Sequence, residues 1–153
     1  MATNSQTFSP RPFGPLTANV QRVVTGVHTL LYSLSSGRIG GRIVGSPVLL
    51  LTTIGRRSGK NRTLPLLYLA DGATVVLVAS NGGAAKHPQW WSNLQANPHA
   101  RVQIGSRTLT MTATLAEGEE RNRLWSRLVA MYPGYAGYQE RTPREIPVVV
   151  LRP

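Results

Sequence analysis

Two glycine turns, Asp71-Gly72 and Gly105-Ser106, each separate runs of strand-forming residues, and they commit much of this chain to hairpin-linked sheet. Residues 63–69 and 74–80 flank Ala70-Asp71-Gly72-Ala73, and residues 102–104 and 108–116 flank Gly105-Ser106. In the last of these runs Leu109, Met111, Ala113 and Leu115 alternate with Thr110, Thr112 and Thr114, the period of a half-buried strand. The apolar runs 48–53 and 146–151 bring the expected number of strands to about six. Between them lie three helical patterns. In 16–34, Leu16, Val20, Val23, Val24, Val27, Leu30, Leu31 and Leu34 form one stripe, which predicts a helix docked over a barrel opening. Its other face carries a single charge, Arg22. Residues 88–96 read as a helix ended by Asn97-Pro98. Glu117, Glu119 and Glu120 open a third, where negative charge suits the N-terminal dipole. Its expected buried stripe is Leu124, Trp125, Leu128, Val129, Met131 and Tyr132. Short hairpin-linked strands with flanking helices predict a mainly β, α+β fold, an antiparallel barrel with helices outside. Residues 1–15, with Pro10, Pro12 and Pro15, are expected to form a flexible arm before a single domain over 16–153.

Composition removes several kinds of chemistry. The chain has no cysteine, so disulfides, thiolate metal sites, iron–sulfur clusters and a cysteine nucleophile are excluded. His28, His87 and His99 stand far apart without metal-ligand spacing, and Asp71 is the single aspartate. Seventeen basic residues face six acidic ones, for a net charge of +11, and all but Lys60 and Lys86 of the basic residues are arginine. Guanidinium binds phosphate and carboxylate through paired donors. The partner is therefore expected to be anionic: a phosphorylated cofactor, a nucleic acid or an anionic membrane surface. No run of about 18 uncharged apolar residues suggests a membrane-spanning helix, and no signal-peptide pattern is seen, so a cytoplasmic location is expected.

Three segments concentrate chemistry-bearing residues. Gly55-Arg56-Arg57-Ser58-Gly59-Lys60-Asn61-Arg62 holds four cations in seven residues between two strands. Its glycines allow a tight turn whose N–H groups converge on an anion, though Asn61 after the lysine departs from a Walker loop. The other reading is a solvated hairpin tip. In the second segment, Ser80-Asn81-Gly82-Gly83 turns the chain from a strand towards the helix carrying Gln89, Trp90 and Trp91. Such a turn offers free amides to an anion and an indole to a planar ring, or else the indoles belong to the core. The third places Tyr132, Tyr135 and Tyr138 three residues apart around Pro133, Gly134 and Gly137. This predicts a helix end followed by a loop or single turn, with the phenols lining an apolar pocket or packing beneath the loop.

Taken in order, Leu49 to Gly59, Arg62 with Pro65-Leu66-Leu67-Tyr68, Ala79-Ser80-Asn81-Gly82-Gly83-Ala84, His87-Pro88, Trp90, Asn93-Leu94 and Ala96-Asn97-Pro98 resemble the deazaflavin-dependent nitroreductase family of actinobacteria. Met131-Tyr132-Pro133, Tyr135, Tyr138 and Ile146-Pro147-Val148-Val149 are similar to it as well, so the resemblance spans about residues 16–152. It implies a flavin-binding-type split β-barrel and the cofactor coenzyme F-420, an 8-hydroxy-5-deazaflavin with a phosphate and a polyglutamate tail. By position it implies that Arg56, Arg57, Ser58 and Arg62 hold the phosphate and tail. The ring is then expected near Pro65, Leu67, Val78, Ser80, Asn81, Gly82, Gly83, Gln89 and Trp90, with the acceptor near Ser80, Tyr132, Tyr135 and Tyr138. The implied reaction is hydride transfer from the reduced deazaflavin to a quinone, nitroaromatic or activated enone, with Ser80 and a tyrosine as hydroxyl donors. Nucleic acid is not expected as a partner. The helix over 16–34 is a candidate for peripheral contact with the inner face of the cell membrane. Two alternatives stay open on these grounds: a nucleic-acid-binding basic barrel, and a split barrel for flavin mononucleotide or heme.

Overall fold

The computed structural model describes residues 15–43 and 45–153. The arm expected over 1–15, apart from Pro15, lies outside them, as do the side chains of Leu16 and Val20. The described chain runs α1 (Pro15–Leu34), β1 (Arg42–Ile43), β2 (Ser46–Ile54), β3 (Asn61–Leu67), β4 (Leu69–Asp71), β5 (Thr74–Val78), a 3-10 turn (Asn81–Gly83), α2 (Gln89–Ala96), β6 (His99–Ile104), β7 (Arg107–Leu115), α3 (Gly118–Met131), α4 (Gly134–Glu140) and β8 (Val148–Arg152). The strands form one curled antiparallel sheet in the order β1-β2-β6-β7-β8-β5-β4, with β3 on the remaining side of β2. This is the expected half-barrel with flanking helices.

Strand alternation divides the core. Leu49 and Leu51 of β2, Leu77 of β5, Val102 of β6, Met111 of β7 and Val149 and Leu151 of β8 point inward, where α2 inserts Trp90, Trp91 and Leu94. The opposite faces of β5 and β8, through Val76, Val78, Val148 and Val150, pack on Leu124 and Leu128 of α3 and Tyr135 of α4. Both central strands are thus buried on two sides, which is why they read as continuous apolar runs.

The segment 63–69, expected as one strand pairing with 74–80, is divided at Tyr68. Residues 61–67 pair with β2 from Val48↔Leu67 to Ile54↔Asn61, and only Leu69–Asp71 pairs with β5. Tyr68 N–H donates to Pro47 O at 3.1 Å, holding the chain to β2 up to the break. The arginine-rich segment 55–60 is therefore the loop of a β2–β3 hairpin.

Helix α1 also departs from expectation. Its apolar stripe faces away from the sheet: Val23, Val27, Leu30 and Leu34 are 66%, 52%, 57% and 76% exposed. The helix docks by its polar side. His28 Nε2 donates to Gly40 O at 2.8 Å, and the buried Tyr32 hydroxyl accepts from Gly105 N–H at 2.9 Å. Thr29 and Ser33 line a mostly polar space of ≈ 280 Å³ against Leu50, Thr52, Thr63, Arg101, Gln103 and Thr108, although the buried Thr29 hydroxyl finds no partner among the described residues. A polar sheet surface selected the polar helix face, something periodicity cannot register. The tyrosine segment, expected as a loop or single turn, is the helix α4, and Leu115, expected on the buried face of β7, is 45% exposed.

Candidate functional site

The loop between β2 and β3 folds on itself. Gly55 N–H donates to Lys60 O and Gly59 N–H to Gly55 O, both at 2.8 Å. Lys60 N–H and the Arg62 guanidinium converge on Ser58 Oγ at 3.2 and 3.5 Å. A side chain at Gly55 has no room, because a Cβ there would lie 2.7 Å from Ser58 Oγ. The loop is tied to α2 through Asn93, which is 4% exposed. Its Oδ1 accepts from Arg56 N–H at 3.2 Å and Arg56 Nη1 at 3.0 Å, while its Nδ2 donates to Thr53 Oγ1 at 3.2 Å.

Above this clamp lies a cavity of ≈ 980 Å³ with three walls. The hairpin supplies Thr53, Gly55, Arg56, Arg57, Ser58, Arg62, Thr63 and Leu64; the turn and α2 supply Asn81, Pro88, Gln89, Trp90 and Asn93; α1 supplies Gln21, Arg22, Thr25 and Gly26. Four guanidinium groups meet here, and no carboxylate lines the space. The ion pairs among the described residues, Arg121–Glu145, Arg123 and Arg127 with Asp71, and Arg152–Glu120, involve none of the four. Uncompensated like charges around one space repel unless an anion joins them. Chemically, such a lining can accept an anion, with Leu64 and Trp90 as its apolar members.

Of the residues expected at the site, the cavity gathers Arg56, Arg57, Ser58, Arg62, Asn81, Gln89 and Trp90. Ser80, Gly82 and Gly83 form the adjoining turn. Gly83 combines φ +80° with a tight approach to α4, since a Cβ would lie 2.7 Å from Tyr138 O. The others fall elsewhere. Pro65 sits opposite Leu50 on β3, and Leu67 packs with Tyr32, Val48 and Leu50. Val78 and Tyr135 belong to the core beneath α3 and α4, because strand alternation turns Val78 to the side opposite Leu77. Tyr132 and Tyr138 pack there too, their hydroxyls 3.1 Å apart. Burial pushes the Tyr135 phenol up, and the hydrogen bond with Tyr132 followed by burial raises that of Tyr138. Both stay neutral near neutral pH.

Asn93 and the α1 residues were not anticipated. Asn93 carries a readable signal, a carboxamide on the inward side of a helix between Trp90 and Leu94. Arg22 and Gly26 carry none, because their place depends on how α1 docks.

Comparison with known proteins identifies the family. Residues 24–153 match the family model described as F420H(2)-dependent quinone reductase. A Mycobacterium tuberculosis protein named for that activity is 40% identical over 129 residues, covering 82% of this chain and 87% of its own length. Another M. tuberculosis protein of the same family is 47% identical over 107 residues, 70% of this chain and 90% of the relative. A solved reductase structure named as dependent on the same reduced coenzyme superposes with TM-score 0.65 at 45% identity, over 69% of this chain and 94% of its own. A second, described as a domain-swapped dimer, gives TM-score 0.67 at 36% identity over 90% and 96%. A heme storage protein from Vibrio cholerae, at 13% identity and TM-score 0.54 over 69% of this chain and 80% of its own, shares the fold alone. With 130 consecutive residues matched and a cavity suited to a polyanionic cofactor, this chain belongs to the F420H(2)-dependent quinone reductase family.

Proposed function

We propose that the protein holds coenzyme F-420 in the arginine-lined cavity and passes hydride from its reduced form to a quinone. Family membership supports the cofactor and the class of reaction. The observation that carries the residue assignment is the gathering of four guanidinium groups without a carboxylate. That donor set fits a phosphate and a chain of carboxylates, while Leu64 and the edge of Trp90, which is otherwise buried in the core, give an apolar contact for a ring. The reduced coenzyme, when bound, supplies a hydride from C5 of its ring.

The chain's own residues bind, orient and exclude water. Arg57 has no hydrogen bond among the described residues and is free for an anionic oxygen, as is much of Arg62. Arg56 is prepositioned by Asn93. Ser80 ends the approach from β5 and makes no side-chain cap bond to the turn, so its hydroxyl is available to an acceptor oxygen that gains charge. The Tyr132–Tyr138 hydroxyl pair, half-buried behind the turn, is the remaining donor candidate, and Tyr135 contributes packing.

Fluorescence titration of the oxidised deazaflavin into wild type and Arg57→Ala tests the assignment. One lost charge-assisted bond is worth about 1.5–3 kcal/mol, so the dissociation constant should rise at least about tenfold. Equal constants would remove the hairpin from the site. Tighter binding of flavin mononucleotide, heme or a short oligonucleotide would favour the alternatives. Turnover of the reduced cofactor with a quinone, a nitroaromatic and an enone then ranks acceptors.

The exposed face of α1 supports a second proposal, contact with an anionic lipid surface. Val23, Val24, Val27, Leu30, Leu31 and Leu34 are exposed along one side, with Arg38 and Arg42 just beyond. No described helix is long and apolar enough to cross a membrane. A +11 chain favours anionic lipid over a second copy of itself. Leu30→Glu with Leu34→Glu should abolish sedimentation with phosphatidylglycerol vesicles. Unchanged pelleting, or self-association at α1 measured by ultracentrifugation, would overturn the proposal.

A further inference from the structure

Arg144 lies in the strap between α4 and β8 and does not line the cavity, yet its guanidinium is surrounded by the segment that does. Nη2 donates to Ser80 O at 2.7 Å and to Lys86 O at 3.4 Å, Nε to Ala84 O at 2.9 Å, and Nη1 to Ala79 O at 3.3 Å. Nη1 also faces His87 Nδ1 at 3.1 Å. A guanidinium has no acceptor, so the imidazole nitrogen must be the acceptor. His87 is thereby held neutral, with its proton on Nε2. The acceptors span the chain from the end of β5 to the start of α2, on both sides of the turn that presents Asn81, and Asn81 Nδ2 itself donates to Lys86 O at 3.1 Å. Asn81, inside the segment, and Pro88, which follows it, both line the cavity.

Trans peptides carry C=O and N–H in opposite directions, and there is no cis bond among the described residues. Four carbonyls gathered on Arg144 therefore turn the amides of Ser80, Asn81, Ala85 and His87 away from it. The guanidinium meets no carboxylate within ion-pair distance among the described residues, so a positive charge stands behind this wall, held by carbonyl dipoles. Arg144 is itself fixed. Gln139 Nε2 donates to Arg144 O at 2.7 Å, and Gln139 Oε1 accepts from Ile146 N–H at 2.9 Å.

From this geometry we infer that Arg144 is a positioning residue, which shapes segment 79–87 into a wall of the cofactor cavity and needs His87 neutral to do so. The role towards the cofactor rests on the proposed function above. The shaping of the segment is a property of the chain alone.

The experiment compares full-length wild type, Arg144→Gln and Arg144→Lys without cofactor, by amide hydrogen exchange and by NMR titration of the His87 ring. Loss of one bond from a charged donor corresponds to at least about a tenfold rise in exchange at Gly83 and Ala84, whose N–H groups donate to Ser80 O and Asn81 O within the segment. The β2 and β8 amides should keep wild-type rates. Arg144→Lys, which retains charge without the fork, should behave like Arg144→Gln, and millimolar methylguanidinium added to Arg144→Ala should restore part of the protection. The His87 titration midpoint should rise in Arg144→Gln. Unchanged exchange at Gly83 and Ala84, an equal increase throughout the protein, or full function of the lysine variant would each overturn the assignment. Deazaflavin titration of the same proteins should show at least about tenfold weaker binding in Arg144→Gln. If wild type fails to bind the deazaflavin, the proposed function falls, while the exchange data still decide the role of Arg144 in the wall.

Discussion

Replacing Asn93 separates what the hairpin clamp does for stability from what it does for anion binding. Asn93→Ala removes three hydrogen bonds, one from a guanidinium and two between neutral groups. The first is worth about 1.5–3 kcal/mol and each of the others about 0.5–1.5 kcal/mol. Arg56 is exposed and recovers water, whereas the Thr53 hydroxyl belongs to a residue only 1% exposed and loses its donor. The expected cost is about 2–4 kcal/mol, read as a lower urea midpoint at constant m-value. In a chain of this size it corresponds to a melting temperature lower by about 4–16 °C. Asn93→Asp has a different outcome. The carboxylate keeps the geometry and pairs with Arg56 where Oδ1 now sits 3.0 Å from Nη1, and the Thr53 hydroxyl reverses to donate. Stability should fall less than in Asn93→Ala, because the Arg56 pair offsets part of the cost of burying the carboxylate. Deazaflavin affinity should fall roughly ten- to hundredfold, because one of the cavity's four cations is neutralised. Denaturation and fluorescence titration on the two variants give both quantities. Wild-type affinity in Asn93→Asp would show that Arg56 takes no part in holding the anion.

Gly26 faces the cavity, and a Cβ there would meet nothing within 4 Å, so Gly26→Leu should fold, gain up to about 1 kcal/mol from helix propensity, and weaken deazaflavin binding by filling space; unchanged affinity by titration would place the cofactor away from α1. Tyr135 is 5% exposed and its hydroxyl makes no hydrogen bond among the described residues, so Tyr135→Phe should leave stability and steady-state turnover near wild type, while Tyr135→Ala should cost about 3–5 kcal/mol in denaturant. Burial, and then Arg144, lowers the His87 pKa from its ordinary 6.5. The unfolded chain therefore binds more protons between that depressed value and 6.5, so stability rises with pH through this window and is lost as pH falls through it. Urea midpoints measured across mildly acid pH should show that slope, and His87→Gln should flatten it.

Local patterning determined a good deal. Turn chemistry at Asp71-Gly72 and Gly105-Ser106 places the β4–β5 and β6–β7 hairpins, since a two-residue loop with positive φ admits few alternatives. The cation density of 55–62 marks the segment as a candidate anion cradle, because charge along a short loop cannot disperse whatever the fold. The order of motifs from Leu49 to Val149 identified the family and, through it, the barrel and the cofactor. Tertiary structure decided the rest, wherever two faces compete for one surface or distant segments converge. The division of 61–71 between β2 and β5 follows from the Tyr68–Pro47 hydrogen bond across the sheet. The orientation of α1 follows from where Tyr32 and His28 find partners, Tyr32 on Val48, Leu50 and Leu67 with its hydroxyl at Gly105 N–H and His28 at Gly40 O, with Thr29 and Ser33 beside Thr52, Thr63, Gln103 and Thr108, which leaves the valines and leucines outside. That same docking brings Arg22 to the cavity that Arg57 also lines, and the fold carries Arg144 back to a turn more than fifty positions earlier. Hydrophobic periodicity records which side of an element is apolar, but only the assembled sheet offers each side a partner.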